Sequence, residues 1–179
     1  MRSNEWVSLL IAVIIGVLWI FLGQPYVFQH GFHTLLVGPG MNLQSFLRNG
    51  SSPGFTVFWS GCISALLIWY FITFTSRTST SSQVRGMRVM WWIAAVILVI
   101  FGWLCQLFFA VLWWLLRGLS PLEGGAGVNY FPIPIAGWMV LLLMIVLDVA
   151  LLFWLPTVLA SPRSYRLVVP GAVSMKGGR

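Results

Sequence analysis

Side chains able to perform acid–base, nucleophilic or metal chemistry are scarce in this chain. Among its 179 residues are three carboxylates, Glu5, Glu123 and Asp148, and two histidines, His30 and His33. Paired-carboxylate catalysis needs both groups across one bond. Here Asp148 lies within an apolar run, and Glu5 and Glu123 fall near opposite faces, so no such pair is expected. Serine, histidine and carboxylate are not grouped as an activated nucleophile requires, and no enzyme activity is expected.

The two histidines lie close together. With Glu123 they offer two imidazoles and one carboxylate, a donor set known from metal sites, but their Gly- and Phe-containing segment imposes no fixed geometry. Axial ligation of a haem or chlorophyll-type pigment by His30 or His33 is the alternative use; the overall expectation is no cofactor and no metal. Gly124-Gly125-Ala126-Gly127 lacks the Lys and Ser/Thr of a phosphate-binding loop.

Asp148 is the sharpest candidate. An ionised carboxylate at mid-membrane costs at least about 2.5 kcal/mol, so it must face protein or water, or be protonated. The polar group expected to meet it is Gln106 in the preceding apolar run, across an antiparallel hairpin. A packing role predicts an Asp148–Gln106 hydrogen bond and a nearly silent Asp148→Asn. Proton binding instead predicts a fold preserved with activity lost.

The surroundings of these groups follow from composition. The chain is 59% hydrophobic and 7% charged, with mean hydropathy +0.93. Soluble domains carry about 25% charged residues. The expectation is an all-α integral membrane protein in a single domain covering residues 1–179. Soluble enzymes, disordered chains, collagen-like repeats and disulfide-stapled domains are excluded. Cys62 and Cys105 fall in apolar runs and read as small hydrophobes.

Four apolar runs, Trp6 to Gly23, Phe55 to Phe74, Val89 to Leu116 and Ile135 to Leu159, are each close to the roughly 20 residues a spanning helix needs. The first ends Phe21-Leu22-Gly23-Gln24-Pro25, without a small-x-small cleavage site, and reads as an uncleaved anchor. Eight of the ten basic residues fall on the face of the termini and middle loop; Arg48 and Arg117 fall on the other. Both termini are therefore expected on the cytoplasmic side. The net charge of +7 is then a topology signal, and no nucleic-acid partner is expected.

Ser8, Ala12 and Gly16 form a small-residue stripe that could face Gly61 and Ala65, and Gly102, Gln106 and Ala110 form a seam for the last run. Trp91-Trp92 and Trp113-Trp114 are placed at headgroup depth.

Between the first two runs, Leu43, Phe46 and Leu47 before Arg48 suggest an interfacial helix or docking patch, and Asn49-Gly50-Ser51 matches a glycosylation sequon. The stretch Thr75 to Arg88 reads as a solvated loop. The basic tail at 160–179 offers Arg163, Tyr165 and Arg166 to anionic headgroups or a partner, with Leu167-Val168-Val169 as an apolar clamp.

The function expected from this inventory is a non-catalytic structural, accessory or assembly subunit of a larger membrane complex. Its partners would be membrane lipids and other membrane subunits or a second copy, in a bacterial inner membrane or an equivalent energy-converting membrane. A small proton- or ion-coupled carrier using Asp148 is the alternative.

Overall fold

The structure, a computed structural model, describes residues 3–36, 46–75, 80–118, 133–160, 165 and 167–170. Four helices within it are long and apolar enough to cross a membrane: Leu10–Gly31, Ser52–Thr75, Ser81–Trp113 and Ile135–Leu159. There is no strand among the described residues.

The first helix runs further than its apolar core implies. It starts at Ser3 and continues past Gly23 through the wide π-helical turns Trp19–Gly23 and Val27–Gly31. Gln24-Pro25, read from sequence as a stop, lies inside it. Two other π-turns, Phe46–Ser51 and Ala150–Trp154, repeat the pattern: as with Pro25, a proline, Pro53 or Pro156, follows two residues after the turn ends. Proline lacks an N–H and its ring collides with the carbonyl four residues back. A widened preceding turn moves that carbonyl aside, so the helix continues with a local change of phase.

The third helix is Ser81–Gly118, 38 residues and about 57 Å long. It takes in residues expected in a loop, because Thr80 caps it. Gln83 N–H donates to Thr80 Oγ1 at 3.4 Å, and Thr80 N–H donates to Gln83 Oε1 at 3.3 Å, a reciprocal capping box. Its buried face, Trp91, Ala95, Leu98, Gly102 and Cys105, advances by alternating steps of four and three. That spacing keeps one seam turned toward a neighbouring helix.

The fourth helix lies at the centre, packed by each of the other three. Gly16 of the first helix abuts Leu152, and Gly102 of the third is closed in by Ile145 and Phe58. The Ala12–Gly16 stripe is thus a packing surface, but for the fourth helix. Gly61 instead faces Phe101 of the third helix, so the two small-residue stripes do not form the interface expected between them. The outer surface is apolar: Phe21, Phe71 and Leu67 are 72%, 70% and 64% exposed.

The segment expected as an interfacial helix is only partly described. Leu43 lies outside the described residues, and Phe46–Ser51 is a π-turn that runs straight into the second helix. His33–Leu36 forms one further helical turn packed on the start of the fourth helix, where the Leu35 carbonyl crosses Gly137.

Candidate functional site

Asp148 is wholly buried, in the last turn before the wide turn Ala150–Trp154. Trp19 Nε1–H donates to its Oδ1 at 2.6 Å, and Trp59 Nε1–H donates to its Oδ2 at 2.9 Å. Trp19 stands in the first wide turn of the first helix and Trp59 on the second helix. The carboxylate therefore joins three helices through two indoles. Hydrogen bonds to an ionised acceptor are the stronger class.

Local sequence explains the convergence. The wide turn ahead of Pro25 changes the helical phase at Trp19, and the Gly16–Leu152 contact brings the first helix close to the fourth at that level. Trp59 is oriented by its own helix: Phe55 stacks on it at 5.9 Å, and Phe28 of the first helix meets Phe55 at 5.7 Å.

Gln106 does not meet Asp148. Its Oε1 accepts from Ser51 Oγ at 3.2 Å, and its Nε2 donates to the Ser51 carbonyl at 3.3 Å. The register of the third and fourth helices accounts for this. Gly102 faces Ile145; from that level Gln106 is four residues toward one end and Asp148 three toward the other, an axial offset of about 10 Å. Gln106 instead ties the third helix to the start of the second, where Gly54 leaves room for it.

The remaining sequence candidates do not assemble into a site. His30 is exposed, stacks on Tyr26 at 4.5 Å and donates through Nδ1–H to the Tyr26 carbonyl at 3.2 Å. His33 lies in the short turn that follows. Glu123, Arg163 and Arg166 lie outside the described residues. Among those described, no three His, Cys, Asp or Glu side chains are grouped for a metal ion. Gly50-Ser51-Ser52-Pro53-Gly54, passed over in the sequence reading, has the spacing of a nucleophile elbow, but that motif poses its serine on a strand-to-helix turn. Ser52 instead follows a π-turn and opens a helix.

Tyr165, expected at a headgroup or partner, is wholly buried within its own chain, edge-on to Trp69 at 6.2 Å. Val168 and Val169 are buried beside it. The Leu167 carbonyl accepts from Arg88 Nε at 3.1 Å and also from its Nη2, and the Pro170 carbonyl accepts from Trp154 Nε1 at 3.0 Å. The apolar run of the tail covers the end of its own bundle.

Residues missed by sequence reasoning are mainly indoles. Trp19 and Trp59 hold Asp148, and Trp91 is buried, stacked on Phe153 and bonded to Thr157 Oγ1 at 3.2 Å rather than placed outward. The available signal was position: an indole N–H inside an apolar run needs an acceptor. No family model, curated protein or solved structure matches this chain.

Proposed function

We propose that this chain is embedded in a membrane by its four apolar helices, with both termini on the cytoplasmic side. There it serves as a non-catalytic structural, accessory or assembly subunit of a larger membrane complex. The observation that carries this reading is the state of Asp148. Its two oxygens are each occupied by an indole from a different helix, and its exposure is 0%. A carboxylate held that way works as an internal clamp. A proton on either oxygen would leave the carboxyl group a weaker acceptor for its indoles, which disfavours the carrier alternative.

The apolar exterior supports embedding, because a water-facing surface of this composition would associate. The basic asymmetry supports the orientation. Reporter fusions after Arg85 and Arg179 are expected to share one compartment.

Mild detergent extraction of the native chain, followed by identification of co-purifying subunits, tests the function. Stoichiometric partners, with no proton leak in proteoliposomes containing the chain alone, are the expected result. A leak by the isolated chain that disappears in Asp148→Asn, with the protein still assembled, would overturn it in favour of the carrier.

A further inference from the structure

Next to the Asp148 clamp, the first and second helices part around a cavity of about 410 Å³. Arg48 and Ser52 at its edge are exposed, while Phe28 and Phe55 in its wall are buried. Trp59, which holds Asp148, also lines it. Gln24 lines it too, only 3% exposed, and its Nε2 has no hydrogen-bond partner. Buried amide donors in native proteins are nearly always paired. That nitrogen is itself closed off from the cavity, so its two hydrogens lack an acceptor beside a space large enough to hold one, and a turn of the side chain brings them to it.

An occupant that satisfies these walls needs three things in order. It must bring an anion to the guanidinium, an acceptor without a competing donor to the deeper amide, and hydrocarbon to Phe28 and Phe55. Free phosphate lacks the last two. A glycerophospholipid has all three in sequence: phosphodiester, acyl-ester carbonyl and acyl chain.

We propose that this cavity binds one glycerophospholipid of net negative headgroup. The phosphate pairs with Arg48, the ester carbonyl accepts from Gln24 Nε2–H once that side chain turns toward the cavity, and the chain lies along Phe28 and Phe55. Among the described residues lining the cavity there is no carboxylate to pair with the ammonium of a zwitterionic headgroup. Arg48 is also one of only two basic residues assigned to its face by the topology above, where charge is not needed for orientation. The site rests on the membrane reading.

Native mass spectrometry of the detergent-purified chain tests it, with phosphatidylglycerol and phosphatidylcholine as probes. One phosphatidylglycerol is expected to be retained per chain, roughly fivefold over phosphatidylcholine, as one basic residue at a charged surface confers. Arg48→Gln should equalise the two lipids. Gln24→Leu should lower retention of both and leave the preference in place. Arg48 is exposed and leucine fits the space of glutamine, so both variants should fold. Absence of any stoichiometric lipid, an unchanged preference in Arg48→Gln, or displacement by millimolar inorganic phosphate would overturn the proposal. Recovery of the native chain in the soluble fraction would fail the membrane reading itself, a result separable from loss of lipid by an extracted protein.

Discussion

Asp148 and Gln24 are both polar, both buried, and both beside the same stretch of the first helix, yet their surroundings differ. Asp148 sits where three helices converge, and each of its oxygens has a donor. Gln24 sits where two helices part, and its amide nitrogen has none. Five residues separate Trp19 from Gln24, so one helix presents a closed polar contact and an open one within about 8 Å of its axis. A filled polar site in an apolar protein works as a fastener, whereas an unfilled one beside a cavity marks where something from outside belongs.

The largest expected effect comes from disturbing the closed region through its packing. A Cβ at Gly102 would lie 2.8 Å from both Ile145 and Phe58, and Ile145 is one turn from Asp148. Gly102→Leu should destabilise the bundle by about 3 kcal/mol through overpacking, measured by thermal unfolding in detergent. Gly86→Ala is the matched control: nothing lies within 4 Å of its added carbon. The gain of a better helix former should be about 0.5–1 kcal/mol. If Gly102→Leu were as mild, the fourth helix would not be held where the clamp requires.

Next in size is Asp148→Asn. Sequence reasoning with Gln106 as partner expected this change to be nearly silent, because an amide keeps one donor and one acceptor. Two indole donors reverse that expectation. A carboxylate accepts at both oxygens, whereas asparagine turns an N–H₂ toward one indole N–H. The loss should be about 1–2 kcal/mol, read as a lower unfolding temperature. A silent Asp148→Asn would mean that the indoles are not its partners.

A smaller effect separates the two indoles. Trp59→Phe should cost about 1 kcal/mol in the native chain and almost nothing in Asp148→Asn. The asparagine carbonyl would stay with Trp19, whose bond is the shorter at 2.6 Å. Trp19→Phe should remain costly in both backgrounds. A double-mutant cycle on unfolding reads the coupling directly; equal coupling for both indoles would break this assignment.

The four apolar helices were legible in the sequence because hydropathy and length respond to lipid directly. That Asp148 must face protein or water, or be protonated, was legible for the same reason. Its partners were not, since composition says nothing about rotation about a helix axis. Rotation here depends on the wide turns ahead of Pro25 and Pro156; the first run had been ended before Pro25, and Pro156 had been left inside the last run as if the helix passed it unchanged. Trp91 was read only for its depth, by the usual preference of indoles for headgroups, and Trp19 and Trp59 were not weighed as donors, although an indole N–H inside an apolar run needs an acceptor. Thr80-Ser81-Ser82-Gln83 did carry a readable capping signal, masked by the Ser/Thr composition around it. The apolar run Leu167-Val168-Val169 was noticed, but a short run cannot tell its own bundle from another chain.

The smallest expected effect is the one with opposite sign. Gln24→Leu removes an amide whose donors have no acceptor within the chain. Replacing an unmet buried polar group by an apolar one of similar shape is neutral or stabilising. In delipidated detergent the variant should therefore unfold at the same temperature as the native chain or slightly higher, a gain of at most about 1 kcal/mol. Saturating phosphatidylglycerol should reverse the order, because a ligand stabilises the folded state in proportion to its affinity. The native chain would gain more than a variant that cannot donate to the ester carbonyl. Asp148→Asn offers no such reversal, since its partners are internal and added lipid does not restore them. If Gln24→Leu were destabilising even without lipid, the amide would already be paired inside the protein, and the contrast between the closed and open sites would disappear.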